Sequence, residues 1–165
     1  MRFEKAGDFL FKAVSTVFFI GYLPLVPGTF GSLAGVGLFY LLTGISTGGY
    51  FLFILGIIAL GLITSGRTEK LLNKKDPGCI VIDEVAGMLL ALSFVPYDFK
   101  IIFLGFLIFR ILDTLKPFPA GRLQNRQGAF GIMGDDLVAG IYTNIVLQVI
   151  LRLAVQKPAL EIRFF

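Results

Sequence analysis

Residues 80–92, IVIDEVAGMLLAL, form an apolar run that contains two adjacent carboxylates, Asp83 and Glu84. The Asp76-Pro77 pair before the run is typical of a helix N-cap followed by proline at the first helical position. This spacing predicts a membrane helix in which both acids lie nearly two turns from the start, about 10 Å along the axis. Capping does not account for acids at that depth, and ionised groups inside a membrane usually face a partner, a cavity or an ion. We interpret the pair as functional; the alternative is interfacial salt bridges to a neighbouring helix.

The whole sequence is more apolar than that of an ordinary soluble domain. Its 165 residues are 56% hydrophobic and 16% charged, whereas soluble domains are about half apolar and about a quarter charged. Several apolar runs of about 15–20 residues indicate a polytopic membrane protein. We expect an all-α fold in one domain over residues 1–165, a compact membrane helical bundle of about four spanning helices plus an N-terminal interfacial or re-entrant helix. The alternative is a soluble all-helical protein with a large core.

The predicted helices are short and closely connected. Lys12 interrupts the N-terminal segment, which is therefore expected to lie on the membrane surface or to re-enter it. A KPFP motif ends the fourth membrane helix, since proline cannot continue a helix. The N-terminal segment and the five membrane helices that follow it are predicted at Phe9–Tyr22, Ser32–Leu42, Tyr50–Thr64, Pro77–Val95, Lys100–Leu115 and Asp136–Val155.

Basic residues concentrate in two loops, the one before the third membrane helix and the one after the fourth, whereas the turns TGISTGG and PYDF contain none. The positive-inside rule places both basic loops in the cytoplasm. Arg152, Lys157 and Arg163 near the C-terminus fit this topology only if the last helix tilts or does not fully cross. The resulting prediction is a membrane protein whose polar residues gather at the cytoplasmic face. The basic loop residues are Arg67, Lys70, Lys74, Lys75, Lys116, Arg122 and Arg126.

The composition excludes several chemistries. The absence of histidine removes Ser-His-Asp and Cys-His catalysis, phosphohistidine chemistry and imidazole metal ligation. A single cysteine, Cys79, excludes an internal disulfide and a cysteine-cluster metal site. The basic residues are scattered, so a net charge of +4 does not indicate nucleic-acid binding. The loop motifs of cysteine phosphatases, aspartyl-phosphate phosphatases and CDP-alcohol phosphotransferases are missing, and we expect no cleavable signal at the N-terminus.

Carboxylates from three predicted helices converge on the cytoplasmic face. An all-oxygen cluster without histidine or cysteine suits Mg²⁺, with Mn²⁺ and Ca²⁺ as alternatives. The adjacent acids in GDDLVAG are also explained by capping, because they stand where a helix is predicted to begin. The five converging acids are Asp83, Glu84, Asp113, Asp135 and Asp136.

Groups suited to phosphate lie near these acids. Arg110, Asp113 and Lys116 are spaced to share one face of the fourth membrane helix, either as an ion ladder or as phosphate-binding cations. In VPGTFGS, the Thr29 and Ser32 hydroxyls and the free N–H groups of a helix start form an anion seat, although a plain loop with an N-cap explains the motif equally well. Metal ligands, phosphate-binding cations and lipid access together indicate phosphoryl chemistry on a lipid headgroup.

Four segments, PLVPGTFGSLAG, DPGCIVIDEVAGM, FRILDTLKPFP and GAFGIMGDDLVAGIY, resemble the signature of the phosphatidylglycerophosphatase A family. Ala129 stands where a second glycine is expected. The resemblance implies an all-helical, Mg²⁺-dependent enzyme of the bacterial inner membrane that hydrolyses phosphatidylglycerophosphate to phosphatidylglycerol and inorganic phosphate in phospholipid biosynthesis. The polar residues that match the family by position are Thr29, Ser32, Asp83, Glu84, Arg110, Asp113, Lys116, Asp135 and Asp136.

These observations give a set of expected roles. We expect all five acids to ligate one or two Mg²⁺ ions. The residues expected to bind the substrate phosphate are Thr29, Ser32, Arg110 and Lys116. The residues expected to be catalytic are Asp83, Glu84, Asp113 and Asp136. Asp83 would position the attacking water, and a covalent aspartyl-phosphate is the alternative.

Two other functions remain open. An intramembrane cation or phosphate transporter would place acids near mid-membrane in repeated, broken helices; here they cluster at one face. A metal-dependent lipid phosphotransferase would carry D-G and A-R pairs, which are missing. We interpret Gly87 and Gly140 as positions of close helix approach, and not as parts of a transport repeat.

Overall fold

The computed structural model describes residues 6–124 and 126–155. Over these residues it contains seven α-helices, one short 3₁₀ helix (Ile20–Tyr22) and no strand, so the all-α prediction is confirmed. Lys157 and Arg163, on which part of the topology argument rests, lie outside the described residues. The assignment of residues 1–165 to one domain stays a prediction. The α-helices are α1 Ala6–Ser15, α2 Pro27–Leu41, α3 Thr47–Leu72, α4 Ile82–Ala91, α5 Phe99–Leu115, α6 Ala120–Gln124 and α7 Ala129–Val155.

Two helices are long and apolar enough to cross a membrane, α3 and residues Ala129–Ala154 of α7. Only 17% of an apolar 18-residue stretch of α3 and 28% of the corresponding stretch of α7 are buried, whereas the core helix of a soluble protein would be mostly buried. The two helices therefore fit membrane association. The remaining predicted spans, α2, α4 and α5, have 15, 10 and 17 residues, fewer than the about 20 that a full crossing normally needs. The prediction of about four spanning helices is not confirmed.

The third predicted membrane helix is wrong in extent, because α4 begins at Ile82 and not at Pro77. Asp76 does not cap it. The Asp76 backbone N–H donates to the Glu69 carboxylate at 3.1 Å, and its own carboxylate accepts from the Gln124 amide at 3.2 Å. These contacts hold the segment before α4 as a turn against α3 and α6. The acids of the quoted stretch therefore lie in the first turn of α4.

Close glycine contacts place α4 between α2 and α7. A Cβ on Gly87 would lie 2.6 Å from a backbone oxygen of α7, and one on Gly140 would lie 3.0 Å from the carbonyl carbon of Gly87. On the other side, a Cβ on Gly31 or Gly35 of α2 would lie 2.8 Å from a side-chain carbon just before or within α4. These glycines let the backbones approach more closely than any larger residue would allow. The expected close approach at Gly87 and Gly140 is confirmed.

The C-terminal end of α4 lies inside the bundle, where its last carbonyl groups need partners. The Asn144 amide of α7 donates to the carbonyl oxygens of Ala91 and Ser93 at 3.0 and 2.6 Å. The Tyr50 hydroxyl of α3 donates to the carbonyl oxygen of Leu89 at 2.7 Å. A helix of only ten residues can therefore end within the protein without leaving those acceptors unpaired.

Candidate active site

The carboxylates of Asp83, Glu84 and Asp136 meet between α4 and α7. One oxygen from each lies within 4.8 Å of the other two. Asp83 and Asp136 are only 6% and 4% exposed. Within the described part of the chain, Asp83 Oδ1, Glu84 Oε2 and Asp136 Oδ1 are buried and accept no hydrogen bond. Buried carboxylate oxygens without a partner are costly, and a group of three carboxylates suits a hard divalent cation. The residues present therefore fit a metal ion of this kind.

The structure reverses the interpretation of the two acidic motifs. Asp83 and Glu84 lie in the first turn of α4, where the helix macrodipole favours negative charge. In contrast, α7 begins at Ala129 and not at Asp136, so Asp135 and Asp136 lie about 10 Å along the helix. Capping therefore does not explain the α7 acids, while the macrodipole partly explains the α4 acids. The dipole does not account for the unpaired oxygens, which are common to both motifs.

Burial and mutual repulsion oppose ionisation of the α4 acids, which lie in a helix too short to span a membrane. Burial raises the pKa of Asp83 well above its ordinary value, and the neighbouring Glu84 charge raises it further. Burial also raises the pKa of Glu84, to about 7. A bound cation favours the charged carboxylates and opposes both effects. Asp83 and Glu84 therefore favour either a bound cation or a retained proton.

The other two predicted metal ligands are paired with cations instead. The Arg110 Nη1 atom lies 2.6 Å from Asp113 Oδ2 within α5. The Lys116 Nζ atom, at the C-terminal end of α5, lies 2.5 Å from Asp135 Oδ2 of α7. The structure therefore brings three of the five acids into one group and places Asp113 and Asp135 in ion pairs. Asp135 Oδ1 is nevertheless buried and accepts no hydrogen bond from any residue that the structure describes.

The two cations remain charged and accessible beside the carboxylates. Their side chains are each 25% exposed. Burial alone would lower the pKa of Lys116, but the hydrogen bond and charge of Asp135 outweigh it, and the pKa of Lys116 is raised. Because Arg110 and Lys116 are held at their carboxylate partners, each is oriented before any substrate arrives.

Gly28 at the start of α2 is a site residue that the sequence reasoning missed. A Cβ there would collide with the Glu84 carboxylate and would lie 3.1 Å from Arg110 Nη1. The first turn of α2 thus packs directly on a carboxylate and a guanidinium group. The available signal was Pro27, because proline at the first helical position marks Gly28 as part of a helix start.

The predicted anion seat is a helical turn and not a loop. α2 begins at Pro27, so Thr29 and Ser32 both lie within it. Ser32 is fully buried and its hydroxyl donates to the Gly28 carbonyl oxygen at 2.8 Å. Ser32 therefore stabilises the turn that carries Gly28, while Thr29 is half-buried in that same turn.

Comparison with known proteins identifies the family to which this site belongs. The family model for phosphatidylglycerophosphatase A matches residues 13–151, which include all the residues of the site. The chain belongs to the phosphatidylglycerophosphatase A family. The resemblance carried by the four motifs is thereby confirmed, and so is the expectation of a phosphatase.

The relatives of this phosphatidylglycerophosphatase A family member include proteins with two different names. Phosphatidylglycerophosphatase A of Escherichia coli (strain K12) is 40% identical over 132 residues, covering 79% of this chain and 77% of that protein. The Haemophilus influenzae protein of the same name is 35% identical over 130 residues, covering 77% and 80%. A Bacteroides thetaiotaomicron protein provisionally named phosphatidylinositol-3-phosphatase is 31% identical over 154 residues, covering 88% and 96%. No solved structure gives a significant match.

Proposed function

We propose that the protein is a Mg²⁺-dependent lipid phosphatase that hydrolyses phosphatidylglycerophosphate to phosphatidylglycerol and inorganic phosphate. The observation that carries the proposal is the group of three carboxylates, each with one buried oxygen, beside two oriented cations. Carboxylate oxygens are the ligands that Mg²⁺ prefers, and guanidinium and ammonium groups suit phosphate. Two relatives named phosphatidylglycerophosphatase A support this choice of substrate.

Asp83, Glu84 and Asp136 would hold the metal. Each has one buried oxygen that accepts no hydrogen bond from the described residues, and one oxygen of each lies within 4.8 Å of an oxygen of the other two. A bound Mg²⁺ supplies Lewis-acid chemistry, in which it polarises a phosphoryl group and activates water. We assign Asp83 the further task of orienting the attacking water. The covalent alternative, attack by the Asp83 carboxylate itself, predicts a phosphoenzyme that acid quenching of a single turnover would trap.

Arg110 and Lys116 would bind the phosphate oxygens and stabilise the charge that develops during transfer. Asp113 and Asp135 hold them in place at 2.6 and 2.5 Å. We therefore assign Asp113 and Asp135 a positioning role. Asp135 Oδ1, which accepts no hydrogen bond from the described residues, is also available as a metal ligand. Thr29 and the positive N-terminal end of the α2 macrodipole complete the phosphate side of the site.

We place the site at the cytoplasmic face of a bacterial inner membrane. The α4 acids follow a basic segment that begins in the last turn of α3 with Lys70 and continues with Lys74 and Lys75. The positive-inside rule assigns this segment to the cytoplasm. The bacterial relatives and the two apolar helices support this placement.

The short α4 also suits the transporter alternative, because discontinuous helices that end inside the bundle are common in transporters. Membership of a phosphatase family favours hydrolysis over transport. A net flux of phosphate or cation through reconstituted protein, without hydrolysis, would reverse this choice.

The experiment that tests the proposal measures phosphate release by the purified protein in detergent micelles. Phosphatidylglycerophosphate and phosphatidylinositol 3-phosphate are compared, each with Mg²⁺ and with EDTA, because the relatives carry both names. We expect Mg²⁺-dependent release from phosphatidylglycerophosphate and slower release from the inositol lipid. Release that is equally fast in EDTA contradicts the metal assignment, and a preference for the inositol lipid contradicts the substrate.

Two isosteric variants test the site assignment, Asp83→Asn and Glu84→Gln. Each is expected to lower kcat by about 10²-fold or more, a loss typical for removal of a group that stabilises transition-state charge. Asp98→Asn is the matched control, because Asp98 caps α5 at its other end and asparagine caps helices equally well. Unchanged kcat in both site variants contradicts the assignment.

A further inference from the structure

An apolar groove of about 460 Å³ runs between α2 and α3, with α4 as its floor. Ala34 and Leu38 form part of the α2 wall, and Phe53 and Ile57 form part of the α3 wall. Every residue that lines the groove is apolar, and its α3 wall belongs to a helix that fits a membrane crossing. The groove therefore offers no partner to polar groups and suits a hydrocarbon.

The groove and the carboxylate group share one turn of α4. Ile82 and Val85 line the groove, and the two residues between them are Asp83 and Glu84 of the carboxylate group. One turn of a buried helix thus presents an apolar face to one side and a charged face to the other. A ligand with one phosphate and one hydrocarbon part matches that division.

Residue positions along α2 give the distance between the carboxylate group and the groove. Gly28 in its first turn lies against Glu84 and Arg110, while Ala34 and Leu41 line the groove. At ~1.5 Å per residue these groove residues lie about 9 and about 20 Å along the helix from Gly28. The hydrocarbon of one leaflet is about 15 Å thick, half of a bilayer core. A lipid with its phosphate at Gly28 would therefore place its chain at the depth of the groove.

The groove runs along α2 from Ala34 to Leu41, about 10 Å at ~1.5 Å per residue. Ile82 and Val85 in its lining make it continuous with the turn of α4 that carries Asp83 and Glu84. A ligand whose phosphate lies at these carboxylates therefore reaches the groove directly. We infer that the groove binds an acyl chain of the same lipid whose phosphate lies at the carboxylate group. This inference rests on the proposed function and extends it, since the enzyme would then select diacyl lipids by their chains.

Gly37 allows the groove to be filled without disturbing the backbone. It lines the groove, and a Cβ added there meets nothing within 4 Å. Gly37→Phe therefore places an aromatic ring in the space for the chain. Gly48→Phe is the matched control, because Gly48 in the first turn of α3 is equally open and lies outside this groove.

The test compares kcat/KM for phosphatidylglycerophosphate with palmitoyl chains and with hexanoyl chains in the same detergent micelles. We expect Gly37→Phe to lower the ratio of long-chain to short-chain kcat/KM by about tenfold, since about two methylene groups displaced from apolar contact suffice for that change. Gly48→Phe should retain the wild-type ratio. An unchanged ratio in Gly37→Phe, or an equal change in Gly48→Phe, overturns the inference.

A second measurement uses the wild-type protein and does not depend on the variant's folding. A phosphatidylglycerophosphate with a diazirine in one acyl chain is photolysed, and the labelled peptides are mapped. Labelling of the groove residues in α2 and α3 supports the inference, and labelling confined to other lipid-facing surfaces overturns it. Failure of wild-type protein to hydrolyse either chain length would instead contradict the proposed function, so the two failures are distinguishable.

Discussion

Removal of the metal should make the protein's stability fall as pH rises, because Glu84 is protonated more readily when folded than when unfolded. Burial raises the pKa of Glu84 from 4.5 to about 7. The folded state therefore retains a proton that the unfolded chain releases between these values. Stability from this group is fully present below about pH 4.5 and is lost as pH approaches 7. At about 1.4 kcal/mol per pH unit, the loss is about 3 kcal/mol.

The assay is equilibrium unfolding in mixed micelles with EDTA, followed from pH 4.5 to 8 in the wild type and in Glu84→Gln. The pKa of Asp83 is also raised, by burial and by the Glu84 charge, and adds a loss of the same sign. The difference between the two profiles therefore reports Glu84 together with its effect on Asp83. Glu84→Gln should match the wild type near pH 4.5 and exceed its stability by about 3 kcal/mol above pH 7.

With Mg²⁺ the wild type should become more stable than Glu84→Gln, and Asp98→Asn provides the control. Saturating Mg²⁺ stabilises a protein whose folded state binds it, so it should raise the stability of the wild type far more than that of Glu84→Gln. Asp98→Asn should keep the wild-type pH profile, because it preserves the α5 cap. A wild-type profile in EDTA that is flat, or one that Glu84→Gln reproduces, would refute the reasoning.

Three further predictions concern single residues. Asp136→Asn should lower kcat by about 10²-fold and weaken Mg²⁺ binding measured by calorimetry; unaltered Mg²⁺ affinity would remove Asp136 from the ligand set. Gly28→Ala should lower kcat/KM by about tenfold or more, because its Cβ collides with the Glu84 carboxylate and a small misplacement of reacting groups is costly. Gly56→Ala is its control, and equal kinetics in the two would contradict the close packing. Asn144→Leu should lower the free energy of unfolding by about 1–3 kcal/mol, since it leaves the buried Ala91 carbonyl group without its side-chain donor and removes one of two donors to the Ser93 carbonyl group; unfolding at the wild-type denaturant concentration would show that water replaces the amide.

The sequence predicted the residue types of the site better than their positions on the helices. Asp76-Pro77 has the composition of a helix start, but its polar groups are used by Glu69 and Gln124, which are distant in sequence. Local capping rules cannot anticipate such tertiary partners. In the same way, Asp135 and Asp136 have the composition of a helix start, yet α7 begins before them at Ala129.

The grouping of the acids could not be read from the sequence for a related reason. The sequence predicts all five acids at one membrane face. A prediction of the face alone does not distinguish a metal ligand from an ion-pair partner. Lys116 meets Asp135, whereas Asp136 joins the α4 acids. Consecutive helical residues point about 100° apart. The rotation of α7 about its axis, where it packs on α4 at Gly87 and Gly140, then places Asp136 and not Asp135 with the α4 acids.

The three grouped acids do not depend equally on a cation. Asp83 and Glu84 begin α4, whose macrodipole places partial positive charge at that end and offsets part of their repulsion. Asp136 lies in the interior of α7 and has no such compensation. Its Oδ1 is buried and accepts no hydrogen bond from the residues that the structure describes, and the group that it joins contains two further carboxylates. The short α4 thus gives the site two acids that its own backbone partly stabilises, whereas the long α7 contributes one whose charge only a cation or a proton can balance. On this reasoning Asp136 is the carboxylate that couples metal binding most strongly to the packing of α7 against α4.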